Sequence, residues 1–273
     1  MRTFLAAGLS RRDRPGASTD RRRVSWRARL AVSVLLVLAA GVATVAGQEE
    51  GAKTAFRALQ LGYVALDRGD FETAMRHYEK AAGLARGDEE RFQALLGYGT
   101  AAFELGRYEQ ARQALEEAHG VKPVDPAATL TLGVVCRRQG ALDAAVTYLA
   151  DAATRDPEMI EALIELGVAY GALERHSDAE IVCRDALEID PQNTEARLGL
   201  AVALFHQDKN QAALTEFNAV LENEPDNVRA HYGLGLALLY SGDRDGAIEE
   251  IGFLNQHAPE LADDLHRWVF RDD

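Results

Sequence analysis

Little in this chain is built for chemistry. Its 273 residues hold two cysteines, Cys136 and Cys183, and no Cys-x-x-Cys pair, which removes the short-spaced thiolate pattern of zinc and redox sites. Seven histidines are scattered along it, no two of them on one helix face at four-residue spacing, and His-Glu-x-x-His does not occur. There is no Gly-x-Ser-x-Gly elbow and no phosphate-cradling glycine loop. The carboxylates fall on helix exteriors, where solvation is their ordinary role. These absences predict a chain with no catalytic residues, no metal ligands and no cofactor. Both cysteines occupy apolar positions and read as buried free thiols, although an exported chain could oxidise them.

Positive charge is scarce except at one end. Lysine and arginine total 30 against 43 aspartates and glutamates. Residues 1–29 take nine of the arginines and only two aspartates. The remainder therefore holds 21 basic and 41 acidic residues, a net charge of about −20. That excludes nucleic acid as a ligand, because its affinity comes from Lys and Arg neutralising phosphates. It also makes an anionic membrane surface a poor partner for the bulk of the chain. High net charge otherwise keeps a chain soluble.

Proline is rare too, yet five of the seven prolines stand 34 residues apart: Pro123, Pro157, Pro191, Pro225 and Pro259. Ala111, Ala145, Ala179, Ala213 and Ala247 march at the same step. So do Gly99, Gly133, Gly167, Ala201 and Gly235, each preceded by Tyr98, Leu132, Leu166, Leu200 or Leu234. An earlier copy carries Leu61, Gly62, Ala74, Tyr78 and Ala81, offset by three extra residues near the polar turn Gly87-Asp88-Glu89-Glu90. A fixed period of this size means one supersecondary unit stacked on copies of itself. Within a period the apolar residues follow helical spacing twice, broken once near a glycine such as Gly140 and once at the proline, which predicts two helices per unit. The small residues let facing helices approach closely; a Leu at Ala145 would overfill that contact at a cost of about 1–3 kcal/mol.

This arrangement resembles the tetratricopeptide repeat family, whose pattern is W-x2-L-G-x2-Y, A-x3-F and P over 34 residues. Residues 160–193 carry it as Leu163, Leu166, Gly167, Tyr170, Ala179, Cys183, Ala186 and Pro191. Residues 194–227 carry Arg197, Leu200, Ala201, Leu204, Ala213, Phe217 and Pro225. Six units are identified, at 55–88, 92–125, 126–159, 160–193, 194–227 and 228–261, about three quarters of the chain. No unit has Trp at the first pattern position, and Val220 and Leu254 replace the later alanine. The resemblance implies an all-α, right-handed α-solenoid of helix-turn-helix units. After it, residues 262–273 form a capping helix and tail, with Leu261, Leu265, Trp268 and Val269 on one stripe. Trp268 reads as a buried capping residue rather than a docking aromatic.

In this family the first helix of each unit lines a concave face where peptides lie. By analogy the groove would be lined by Tyr63, Leu66, Leu96, Phe103, Val134, Arg137, Ile164, Val202, Phe205, Tyr232, Leu236 and Tyr240, with Leu59, Thr100, Leu130, Val168, Leu198 and Leu239 on the same faces. Only Arg137 and Arg138 approach the basic clamp that some members use for acidic tails, so that clamp is not carried over. A mostly apolar face suits an amphipathic helix or an extended apolar segment. Some of these side chains pack instead between neighbouring first helices.

The N-terminus gives the expected location. Arginine-rich residues 1–29 precede seventeen uncharged residues, Leu30 to Ala46, and the chain turns acidic at Gln48-Glu49-Glu50. A basic flank, an apolar run and small residues at its exit describe a signal peptide or signal anchor. Seventeen residues is the lower limit for a membrane-spanning helix. The arginines would stay cytoplasmic and send residues 48–273 across the membrane. Cleavage near Ala46–Gln48 and retention of residues 30–46 as an anchor both stay open, with 48–54 as a linker. The expectation is a non-catalytic scaffold of a bacterial-type cell envelope with a protein or peptide partner. A docking subunit of a larger envelope enzyme or secretion and maturation system, and a self-associating homo-oligomer, are the alternatives.

Overall fold

The computed structural model describes residues 49–271. The basic segment 1–29 and the apolar run 30–46 lie outside the described residues. Among the described residues the chain is all-α, with thirteen helices and no strand. They are α1 (Glu49–Asp67), α2 (Phe71–Leu84), α3 (Asp88–Glu104), α4 (Tyr108–Val121), α5 (Pro126–Arg138) and α6 (Leu142–Arg155), then α7 (Ile160–Ala172), α8 (His176–Ile189), α9 (Thr194–His206), α10 (Asn210–Asn223), α11 (Val228–Tyr240), α12 (Arg244–His257) and α13 (Pro259–Val269). Twelve of them pair consecutively, α1 with α2 through α11 with α12. Residues 49–54, expected as linker, are the start of α1. The chain divides at Met159 and Ile160 into two compact halves of three repeats each. In the N-terminal half α1, α3 and α5 pack side by side, with α2 and α4 each wedged against the first helix before and after it and α6 packed on α5. In the C-terminal half α7, α9 and α11 repeat that arrangement, and α13 closes it by packing on both α11 and α12.

The turn inside every repeat has one design. The second residue after the first helix is left-handed: Gly69, Gly106, Gly140 and Gly242 in four repeats, but Glu174 (φ 58°) and Asp208 (φ 62°) in the fourth and fifth. In all six the next N–H reaches back five residues to a helical carbonyl, from Asp70 to Ala65 and from Arg175 to Tyr170, for example. That is the six-to-one bond of a Schellman motif, which satisfies a carbonyl the helix end would leave open. Glycine takes this conformation freely and a side chain does not.

The turn between repeats is where proline sits. Pro157, Pro191 and Pro225 follow Asp156, Asp190 and Glu224, whose carbonyls accept from Met159, Asn193 and Asn227 at 3.0–3.1 Å. Proline at the second position of such a four-residue turn fixes the required φ and gives up no needed donor. Asn193 and Asn227 then cap α9 and α11 through their side-chain oxygens. Pro259 departs from this pattern. It is the first residue of α13, and the chain turns directly at Ala258, whose carbonyl accepts from Leu261 and Ala262. Proline is tolerated there because the first helical turn leaves its N–H unused. The capping helix accordingly begins at Pro259 rather than at residue 262.

Close packing depends on glycines opposite one second-helix position. Tyr78, Leu115, Leu149, Cys183 and Phe217 occupy equivalent places, all buried. A Cβ added at Gly99 would lie 2.6 Å from Leu115 Cγ, and one at Gly133 would lie 2.7 Å from Leu149 Cγ. Gly133 thus makes room for Leu149, one turn beyond Ala145. Two of these side chains are aromatic, and each meets a further glycine on the next first helix: a Cβ at Gly97 would lie 2.4 Å from the Tyr78 ring, and one at Gly233 would lie 2.4 Å from the Phe217 ring. Cys183 is held between Gly167 and Gly199, with either added Cβ 2.9 Å from its Sγ. Both cysteines are free and buried. Burial pushes the Cys183 thiol up to about 12 and also raises that of Cys136.

Two tests follow from these contacts. Glu174→Gly removes a left-handed penalty of about 1–2 kcal/mol and adds about 0.5–1 kcal/mol of unfolded-state entropy. It should raise the denaturant midpoint by the equivalent of up to about 1 kcal/mol, whereas Gly140→Glu should lower it. The second concerns Glu180 on α8, which accepts from Lys209 Nζ at 2.7 Å, Arg184 Nη2 at 2.9 Å and Gln207 Nε2 at 2.8 Å. The Lys209 bond leads the donors that hold its carboxyl down to about 2. Because the folded value is depressed, the stability this group contributes is complete above the ordinary value near 4.5 and is lost as pH falls toward 2. Urea titrations of the parent and Glu180→Gln should diverge above pH 4.5 and converge toward pH 2.

Candidate functional site

The candidate surface consists of the exposed sides of the first helices, taken separately in each half. In the N-terminal half Leu59, Leu96, Thr100 and Leu130 are buried between neighbouring helices, whereas Tyr63, Leu66, Phe103, Val134 and Arg137 are half-buried. Phe103 leans on Tyr108 at the start of α4, with ring centroids 5.8 Å apart. In the C-terminal half Leu198, Phe205, Tyr232 and Leu236 are buried, Ile164, Val202 and Leu239 half-buried, and Val168 and Tyr240 exposed. The twelve groove candidates therefore fall into two depths. Leu96, Phe205, Tyr232 and Leu236 pack against adjacent helices, and the other eight reach the surface.

Two buried candidates have internal partners. Phe205 meets the Tyr240 ring edge-on at 5.5 Å, so Tyr240 covers it. The Tyr232 hydroxyl donates to Asp264 on α13, and burial followed by that carboxylate raises its pKa. Tyr232 thus ties the capping helix to the last repeat. Trp268 is half-buried and packs against the same core, in keeping with a capping role. Next to Phe205, the His206 ring stacks on His176 at 4.4 Å and 7°. Burial lowers the His176 pKa, which favours the neutral ring.

Catalysis would be sought first at the His231–Glu250 pair. Nδ1 lies 2.6 Å from Glu250 Oε2, Nε2 lies 2.8 Å from the Pro225 carbonyl, and Phe253 stacks on the ring at 3.6 Å. Burial leads in raising the Glu250 pKa. Both ring nitrogens are engaged. One repeat earlier the same three places hold Arg197, Glu216 and the Pro191 carbonyl, at 2.9 Å and 2.6 Å. The histidine therefore substitutes for an arginine in a brace between the two helices and the loop of one repeat. Sequence reading overlooked this brace because residues of different type fill one position. Among the described residues no group of three histidine, cysteine or acidic side chains could hold a metal ion.

Comparison with known proteins agrees with this architecture. Two profiles described as tetratricopeptide repeat match, one over residues 54–123 and the other over 99–160, 137–194, 164–219 and 198–252. Among solved structures, a tetratricopeptide repeat protein from Parabacteroides merdae is similar at TM-score 0.70 and 18% identity, covering 80% of this chain and 86% of that one. MamA from Desulfovibrio magneticus RS-1 is similar at 0.58 and 22%, covering 64% and 97%. YrrB, described as a TPR protein with an unusual peptide-binding site, is similar at 0.54 and 22%, covering 64% and 91%. No curated protein sequence matches the chain. With the repeat profiles spanning most of its length, the turns and helix pairs described above belong to a member of the tetratricopeptide repeat family.

Proposed function

We propose that the chain is a non-catalytic scaffold of a bacterial-type cell envelope, held at the membrane by residues 30–46, with its repeats on the far side from the arginine-rich terminus. Tetratricopeptide repeat proteins are generally non-catalytic and bind protein or peptide partners, which supports the scaffold part of this reading. The basic flank is long for a cleaved signal, and that favours an anchor. Among the described residues no helix is long and apolar enough to cross a membrane, so the proposal of an anchor rests on residues 30–46 alone.

The observation that carries the binding reading is the row of partly exposed apolar side chains on the first helices. Tyr63, Leu66, Phe103 and Val134 form it in one half, and Ile164, Val168, Val202 and Tyr240 in the other. An amphipathic helix or extended apolar segment buries its own apolar side chains against such a row, at roughly 25 cal/mol per Å² of apolar surface removed from water. Aromatic anchors dominate such contacts, which gives Tyr63, Phe103 and Tyr240 the largest share. The peptide-binding description of the structurally similar YrrB agrees with this choice of ligand.

The test places a photo-crosslinking residue at Tyr63, Phe103, Val202 or Tyr240 in intact cells, with Ile181 on a second helix as the comparison. The expected result is one defined adduct from first-helix positions and none from Ile181. Combined Tyr63→Ser, Phe103→Ser and Tyr240→Ser should abolish recovery of that adduct's partner while helix content is kept. Adducts from Ile181 alone, or partner capture undiminished in the folded triple variant, would contradict the assignment.

A further inference from the structure

The two ends of the repeat array are finished differently. At the C-terminal end α13 buries Ala262, Leu265 and Val269 and turns Glu260, Asp263 and Arg267 outward, as the polar cap of a solenoid does. At the N-terminal end α1 has no such cover among the described residues. Its outward face carries Arg57, Leu61, Val64 and Arg68, spaced so that all four fall on one side of the helix. Leu61 is 43% exposed and Val64 41%. One repeat later, 37 residues on, the places of Arg57 and Val64 are held by Ala94 and Ala101, both fully buried. They share a side of α3 with Gly97, which meets Tyr78 of α2. The α1 face is therefore a packing face of the solenoid with no helix on it among the described residues, and arginine stands at its edge where the next repeat has alanine. Neither Arg57 nor Arg68 has an ion-pair partner among the described residues.

Three observations narrow what covers this face. The uncharged run ends at Ala46, and α1 begins at Glu49, so a chain anchored by that run leaves no spacer between the bilayer and the helix. The face pairs two apolar side chains with two arginines, the composition of a helix lying at a lipid interface. A second copy fits poorly. Symmetric antiparallel packing that brings Leu61 of each copy onto Val64 of the other also sets Arg57 of each against Arg68 of the other, and like charges face to face oppose association.

We infer that the Arg57–Leu61–Val64–Arg68 face of α1 rests on the surface of the membrane that anchors the chain, with the two leucine and valine side chains in the interfacial layer and the two arginines on lipid phosphates. The remainder of the array is acidic and is repelled from the same surface, so contact is confined to this end and the first-helix faces stay open to a partner. This inference rests on the reading of residues 30–46 as an uncleaved anchor.

The experiment uses the full chain with Leu61→Cys, labelled with an environment-sensitive maleimide. The buried native cysteines, whose thiols are pushed up, stay unlabelled in the folded protein. The protein is reconstituted into vesicles of phosphatidylcholine with phosphatidylglycerol, some lipids carrying a spin-label quencher. Quenching at position 61, with none for a label at Ile181→Cys, is the expected result. Arg57→Gln and Arg68→Gln should each lower the contact equilibrium about fivefold, the equivalent of about 1 kcal/mol per charge at an anionic surface. Vesicle flotation without quenching at position 61 overturns the inference and leaves the anchor standing. Failure to float overturns both. Label protection that rises with the protein-to-lipid ratio and needs no quencher-bearing lipid assigns the face to a second copy, and also overturns the inference.

Discussion

One side chain of each of five second helices is set against a glycine of a first helix. At Leu115 and Leu149 that glycine belongs to the same repeat, at Phe217 to the next, and at Tyr78 and Cys183 there is one on either side. Interiors pack at crystal density, so a missing methyl on one helix is the space a ring or branched chain occupies on another. The sizes are matched locally. Tyr78 and Phe217 face Gly97 and Gly233, while the smaller Leu115 is followed by Thr131 at the equivalent place. Helix spacing along each half, and with it the interval between first-helix surfaces, depends on this match.

The surface that could bind a partner follows from the same packing. Once second helices occupy the gaps between first helices, only one side of each first helix remains for solvent, and its apolar stripe is divided by depth. Leu96, Phe205, Tyr232 and Leu236 go to the interior, and Tyr63, Phe103, Val202 and Tyr240 come to the surface. Charge is spent elsewhere, in braces such as Arg197–Glu216 and in the Glu180 cluster across the fourth and fifth repeats. Glu180, Arg197 and Glu216 are mostly covered by their surroundings, and these pairs tie turns to helices.

Most of the fold was legible because the repeat writes its signals at turns. The proline step and turn glycines such as Gly106 and Gly140 have local physical causes that act without tertiary context. What failed to show had tertiary causes. Glu174 and Asp208 adopt the left-handed turn within the same back-reaching bonds, Arg175 to Tyr170 and Lys209 to Leu204, with no glycine to announce it. Pro259 keeps the interval yet opens a helix, since the array ends there and no further inter-repeat turn is built. Helical spacing places Phe205 and Tyr240 on the stripes of successive first helices but cannot say that one covers the other. The glycines at 97, 199 and 233 stand at multiples of the repeat length and were visible in the sequence; their meaning required knowing which side chain each faces, Tyr78, Cys183 or Phe217.

The most direct measurement of this size matching is a double-mutant cycle on Phe217 and Gly233, read as unfolding free energy in urea. Gly233→Ala alone should destabilise by about 1–3 kcal/mol through overpacking. Phe217→Leu alone should also cost stability, because it opens space beside Gly233. If the two side chains share one volume, the double variant is more stable than the sum of the single effects predicts, by about 1 kcal/mol or more. Additive losses would show that the glycine and the ring act independently, and that something other than this contact sets the spacing of the repeats.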